Sequence, residues 1–291
     1  MLKRASSTSS SKSRRDDGLH VLASPTEPQM DVIAIHGLNG NAHRTWTHET
    51  PQQRGQNPRA ASSTMWLRDL LPSRLPNARI MTYGYNASVF TASKLDLFQD
   101  AVELLQQIQD RRRDATHPIL FIAHSLGGLV LKRVRAPTLP IINGTPHRGS
   151  SLASPALVLA GILRASGLPI AKQRLKALQV HSNSLFDLTN NFRRLTSGIS
   201  ILSFYETKPT PPLASLVVQK DSAFLGLADE TIVPLDANHR DICRFPDDKE
   251  GGLFYQVAQQ LDILIENMRA KGLLPFLLLP SFRYPADCAV I

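Results

Sequence analysis

Ile119-Leu120-Phe121-Ile122-Ala123-His124-Ser125-Leu126-Gly127-Gly128-Leu129-Val130 decides how this chain is read. An apolar run follows Pro118, then a polar pair, a turn of small residues and the start of a helix. A short apolar run bounded by a proline reads as a buried strand. The turn has small-x-Ser-x-Gly spacing, with Ala123 where a first glycine usually stands. In a strand-to-helix elbow of this kind the backbone at the serine bends sharply and its hydroxyl projects above the sheet. The flanking positions must be small, because the helix passes close to the strand. Ala123, Gly127 and Gly128 meet that demand. Ser125 is therefore the candidate nucleophile; the alternative is a serine capping a helix in some other α/β protein.

A serine hydroxyl attacks poorly near neutral pH. It needs a base within hydrogen-bond reach, and a carboxylate to fix the tautomer of that base. Elbows of this type take their partners in the order Ser, acid, His. Downstream stands Asp229-Glu230-Thr231-Ile232-Val233-Pro234-Leu235-Asp236-Ala237-Asn238-His239. His239 is the candidate base. Glu230 is the first choice for the acid, since it stands three residues before the Val of a Val-Pro turn, with Asp229 second and Asp236 third. Upstream, Met30-Asp31-Val32-Ile33-Ala34-Ile35 reads as a buried strand ending in His36-Gly37-Leu38. A His-Gly turn after such a strand supplies backbone N–H groups to an oxyanion hole. Leu38 is the expected first donor and Leu126 the second, with His36 holding the turn.

The remaining elements alternate. Leu19 to Ala23 reads as an edge strand and Arg79 to Tyr83 as an inner one. Residues 41–57 read as a polar loop over the site mouth, and Met65 to Leu71 as a short helix stopped by Pro72. Asp96 to Arg113 is the clearest helix, with Leu97, Ala101, Leu105 and Ile108 on one face and Phe98, Val102 and Leu104 widening it. Its last three arginines read as a solvated helix end. Leu139 to Asn143 and Ile199 to Tyr205 read as further strands, and Leu216 to Val218 as another. Ser151 to Leu195 reads as a helical, cap-like excursion, with packing into the core as the alternative that periodicity does not separate from it. Strand–helix alternation implies an α/β fold with a mostly parallel sheet and helices on both faces.

Composition sets the outer bounds. The chain has 291 residues with 42% hydrophobic content, enough to bury one full core. Its formal charge is +9 and its pI about 9.8, which suits an anionic surface. Basic residues are not interleaved with aromatics and no zinc-finger spacing occurs, so nucleic acid is not the expected partner. Cys243 and Cys288 do not make a disulfide framework. No run approaches the roughly 18 apolar residues needed to span a bilayer. Residues 1–18 form a basic, serine-rich tail that faintly resembles a presequence, residues 19–270 form the folded domain, and residues 271–291 form an apolar tail.

Taken together, these segments resemble the serine active site containing protein 1 group and the related DUF676 lipase-like hydrolases. The resemblance is close to the version found at the N-terminus of many fungal multidomain proteins. It rests on Ala34-Ile35-His36-Gly37-Leu38, Thr82-Tyr83-Gly84-Tyr85, the Ser125 elbow, Gly144-Thr145-Pro146-His147-Arg148-Gly149-Ser150, and the segment from Ile232 to Phe245. It implies an α/β-hydrolase fold, a Ser-acid-His site at Ser125, His239 and Glu230, and acyl-ester chemistry on lipids or acylated substrates. It implies no metal and no organic cofactor. It also implies association with mitochondrial or endoplasmic reticulum membranes, the cytosol being the alternative. The link from Arg135 to Leu139 is short against the family pattern, and lost packing there would loosen Ser125. A hydrolase-fold interaction module, binding a protein partner with weak or lost chemistry, is therefore the rival expectation. A third is a lipid binder that makes peripheral membrane contact through the two tails.

Overall fold

The computed structural model describes residues 16–50, 63–87, 97–112, 117–134, 139–145, 147, 161, 164, 182–196 and 199–272. Most of both tails and most of the expected cap lie outside the described residues; the exceptions are residues 16–18 and 271–272 of the tails and residues 161, 164 and 182–195 of the cap.

Seven strands build one sheet in the order β1-β5-β2-β6-β7-β8-β9. They are β1 (Gly18–Ala23), β2 (Met30–Ile35), β5 (Ala78–Gly84), β6 (Ile119–His124), β7 (Leu139–Asn143), β8 (Ile201–Glu206) and β9 (Glu230–Leu235). β1 runs antiparallel along one edge and all other neighbours are parallel. A small ribbon, β3 (Thr47–Glu49) with β4 (Ser63–Met65), stands apart. The strand order, the antiparallel edge and the serine elbow after β6 are those of an α/β hydrolase, as the sequence implies. The short link after the elbow still lets β7 pair in parallel with both β6 and β8.

Side chains alternate across the pleat, so the inner strands feed two cores. From β6, Leu120 and Ile122 enter the core that also holds Val32, Ile80 and Phe204. Phe121 and Ala123 enter the opposite core with Ile33, Ile35 and Met81. The first core is covered by α1 (Trp66–Asp69), α2 (Leu71–Arg74) and α6 (Leu253–Ala270). The second is covered by α3 (Leu97–Arg111) and α4 (Gly127–Arg133). In α6, Phe254, Val257, Ala258, Leu261, Leu264, Ile265 and Met268 are buried at three- and four-residue steps, the spacing of a helix with one apolar face. On the second face, α5 (Ser182–Leu195) meets α4 where Lys132 Nζ donates to Thr189 Oγ1 at 2.8 Å. Burial pulls that buried ammonium down to about 7.

Several local expectations change. Pro72 does not stop a helix; it sits in the first turn of α2, where its missing N–H costs nothing. Trp46 is fully buried and joins Trp66 in the core, with Ala42 and Thr45 buried beside it in sequence, so this part of the expected polar loop is anchored in the fold; residues 51–57 of that loop lie outside the described residues. In α3, Phe98 and Val102 face outward and Leu104 is the buried centre. Arg112 is not a solvated helix end. Its Nε lies 3.3 Å from the buried carboxylate of Asp31, which also takes a two-pronged contact from Arg79 at 2.8 and 3.0 Å. Leu216 to Val218 is loop, not strand.

Trp66 ties the first core together. Its Nε1–H donates to the Cys243 carbonyl at 2.9 Å, and its ring packs against Phe245 and Phe254. Trp66→Ala is expected to lower the unfolding free energy by about 3–5 kcal/mol. Urea denaturation checks this; a loss within experimental error would mean the ring does not anchor that core.

Candidate active site

In a parallel sheet the carboxyl ends of the strands share one edge, and loops leaving that edge converge. Ser125 follows β6, His36 follows β2, Gly144 follows β7, Glu206 closes β8 and His239 follows β9. The elbow is sharp because Ser125 is forced to φ 53°, a left-handed conformation rare for a side chain other than glycine. The contacts behind it are tight. A Cβ on Gly127 would stand 2.4 Å from the Ile35 carbonyl oxygen, and one on Gly37 would stand 2.8 Å from Ser125 Cβ. Glycine at both places lets the His36–Leu38 turn rest directly on the nucleophile.

The Ser125 hydroxyl lies 3.0 Å from His239 Nε2. On the far side of the ring, His239 Nδ1 lies 2.6 Å from Glu206 Oε2. All three residues are buried. The other carboxylate oxygen of Glu206 accepts backbone N–H bonds from Val217 at 2.5 Å and Val218 at 3.1 Å. A carboxylate only accepts, so Nδ1 carries the ring proton and Nε2 presents its lone pair to the serine hydroxyl. A hydroxyl, an imidazole and a carboxylate in that relay can activate the hydroxyl for attack on a carbonyl.

Glu206, not Glu230, is the carboxylate that the structure places against His239. Glu230 opens β9 opposite Ile201, which opens β8, so it stands at the amino edge of the sheet. Five residue steps separate the two ends of such a strand, roughly 17 Å. Glu230 instead accepts from Ser203 Oγ at 2.5 Å and from the N–H groups of Leu225 and Gly226 at 2.9 and 2.6 Å. Its role is to close the loop before β9. Asp229 lies 3.5 Å from Lys271 and Asp236 pairs with Lys208 at 2.7 Å. Both are well exposed, and neither touches His239. The missed signal was local. Glu206 directly ends the apolar run Ile201-Leu202-Ser203-Phe204-Tyr205, at the carboxyl end where a site acid must stand.

The two expected oxyanion donors lie beside this array. Leu126 is buried at the start of α4, and Leu38 is half-buried in the turn against Ser125. His36 braces that turn. Its Nδ1–H donates to the Gly37 carbonyl at 2.9 Å, its ring stacks on Tyr85, and Tyr85 O–H donates to the His36 carbonyl at 2.9 Å. Burial pushes the His36 imidazole down to about 4.

No protein-family profile matches the chain. Among curated proteins, Protein SERAC1 of Bos taurus is 30% identical over 277 residues, covering 84% of this chain and 41% of that protein. Protein SERAC1 of Danio rerio is 27% identical over 295 residues, covering 89% of this chain and 43% of that protein. The chain is a relative of the SERAC1 proteins. It spans about two-fifths of the length of these relatives. Among solved structures, the Pyrococcus furiosus esterase Pf2001 is similar with a TM-score of 0.49 and 12% identity, covering 82% of this chain and 83% of that one. The NocB thioesterase domain from the nocardicin cluster is similar with a TM-score of 0.44 and 11% identity, covering 86% and 99%.

In this SERAC1 relative, the motif that opens with Gly144-Thr145 acquires a physical role. Gly144 has φ 54°, and a Cβ there would meet His239 Nδ1 at 3.2 Å, so the ring lies on bare backbone. Thr145 Oγ1 donates to the Ser125 carbonyl at 3.1 Å, and Gly128 leaves room for that threonine. His147 is buried, with its backbone N–H on the Ser222 carbonyl. Arg148, Gly149 and Ser150 lie outside the described residues.

Burial also holds the imidazole of His124 down, to about 3. His36 and His124 are thus neutral in the fold and gain protons on unfolding as pH falls below 6.5. Their stabilisation is complete above pH 6.5 and is lost as pH falls through about 4 and then about 3. Stability is expected to drop over that window by up to about 1.4 kcal/mol per pH unit for each histidine. Urea titrations at stepped pH check this, and His36→Gln should flatten the curve. A flat wild-type curve between pH 6.5 and 4 would contradict it.

Proposed function

We propose that this chain is a serine hydrolase that cleaves acyl esters. The observation that carries the reading is the buried run from Ser125 Oγ to His239 Nε2 at 3.0 Å and from His239 Nδ1 to Glu206 Oε2 at 2.6 Å. Ser125 Oγ attacks the acyl carbonyl while its proton passes to His239 Nε2. Glu206 holds the ring in the needed tautomer and stabilises the imidazolium. The N–H groups of Leu38 and Leu126 receive the oxyanion of the tetrahedral intermediate. The C–O bond to the leaving alcohol breaks as His239 returns its proton to that oxygen. A water molecule, deprotonated by His239, then attacks the acyl carbon; the C–Oγ bond breaks as His239 returns that proton to Ser125 Oγ, which releases the carboxylic acid and restores the free serine. Each step uses only side chains, backbone N–H groups and water.

Lipid or acylated substrates are part of this proposal, as the sequence resemblance implies and as the basic charge of +9 suits. The rival reading as an interaction module drew on the short link after the elbow. That link leaves Ser125 within hydrogen-bond reach of His239, which favours catalysis over a silent fold.

Ser125→Ala and His239→Ala are each expected to lower turnover of a short-chain p-nitrophenyl ester by about a thousandfold or more. Steady-state assays on purified, folded protein check this. Wild-type turnover in Ser125→Ala would remove Ser125 as the nucleophile. Absence of wild-type turnover across an acyl-ester panel would move the interaction module to first place.

A further inference from the structure

His124 takes no part in the proton path from Ser125 to Glu206, yet it touches the rest of the site. It is the last residue of β6, directly before the nucleophile. Pleat alternation puts its side chain on the face of Leu120 and Ile122, toward the loop that carries His239. His124 Nε2–H donates to the backbone carbonyl of His239 at 2.8 Å. The two rings lie 5.0 Å apart at a tilt of 42°. On its other side, a Cβ on Gly37 would stand 3.1 Å from His124 Nδ1. The buried ring therefore fills the space between the His36–Leu38 turn and the His239 loop. A second anchor holds the same loop residue, because His239 N–H donates to the buried Thr210 Oγ1 at 2.9 Å.

A loop residue aims its ring only as well as its backbone is fixed. With both its N–H and its C=O engaged, His239 keeps only its side-chain torsions, and Glu206 and Ser125 set those. His124 belongs to the same elbow as Ser125. One side chain thus ties the nucleophile's backbone to the backbone of the base.

We propose that His124 is a positioning residue, whose Nε2–H bond to the His239 carbonyl locks the histidine loop to the nucleophile elbow. Its kinetic consequence rests on the reading of Ser125, His239 and Glu206 as a catalytic array; its geometric consequence does not. The ring stays neutral because burial and the neighbouring His239 both oppose its protonation, with Arg244 adding to this. A neutral ring also keeps a second positive charge away from His239 when that residue takes up the serine proton.

The test compares His124→Gln, which keeps an N–H donor at similar reach, with His124→Phe, which keeps a ring without the donor. Three quantities are read: kcat and KM on a p-nitrophenyl ester, the thermal midpoint, and the downfield proton NMR signal of His239 Nδ1–H. In His124→Phe, kcat is expected to fall about ten- to a hundredfold with KM changed less than about threefold. The downfield signal should shift or broaden, and His124→Gln should recover most of both. A His124→Phe protein with wild-type kcat and an unchanged signal would overturn the proposal. Equal damage in both variants, tracking equal losses of thermal midpoint, would also overturn it in favour of simple packing. If His124→Phe does not fold, His124→Leu takes its place, and failure of Phe, Leu and Gln alike to fold counts for packing. Wild-type protein that shows the signal but turns over no ester sinks the hydrolase reading alone. The signal in the two variants then decides the role of His124.

Discussion

The backbone of the serine elbow lies against the ends of β2 so closely that one extra carbon atom does not fit at Gly127 or Gly37. That approach is a steric constraint, and much else depends on it. It fixes where α4 leaves the sheet, and it sets the His36–Leu38 turn on top of the nucleophile. It also holds Ser125 in a left-handed conformation that costs roughly 1–3 kcal/mol when unsupported. The support is visible on three sides. Thr145 grips the Ser125 carbonyl, α4 is buried almost throughout, and the two apolar cores clamp β6 from both faces. A hydroxyl pushed out of the sheet in this way is presented at one point, and the partner loops need only reach that point.

Those loops reach it because a parallel sheet gathers its carboxyl ends on one edge. The two glutamates illustrate the rule. Glu206 and Glu230 both belong to strands, both are tied by backbone N–H groups, and both lie between Ser125 and His239 in the chain. Only Glu206 stands at the carboxyl end of its strand. Glu230 stands at the amino end and serves the loop that enters β9. Side-chain chemistry does not separate them; strand direction does.

Much of the fold was legible in the sequence for simple reasons. Apolar runs such as Ile119 to Ile122 are long enough to be strands and too short to be isolated helices. The elbow glycines have a steric use that can be stated without coordinates. Ser125 and His239 followed from the order of partners that such an elbow requires, and they lie 3.0 Å apart. Glu230 is chosen for its spacing to the Val-Pro turn, a local pattern that does not say at which end of β9 it stands. That spacing points to the amino edge of the sheet, whereas the carboxylate against His239 stands at the carboxyl edge. The long-range ties were not legible at all. The bond from His124 to the His239 carbonyl and the Arg112–Asp31 pair join residues far apart in the chain, and no local pattern encodes such meetings.

The most direct measurement is labelling by a fluorophosphonate probe, which reacts only with an activated serine, applied to wild type, Glu206→Gln and Glu230→Gln. Folding of each protein is confirmed first. The expected result is rapid labelling of wild type, labelling at a similar rate in Glu230→Gln, and labelling slower by about a thousandfold or more in Glu206→Gln. Absence of label on folded wild type would contradict an activated Ser125. Wild-type labelling in Glu206→Gln, with loss in Glu230→Gln, would return the acid to the other end of the sheet.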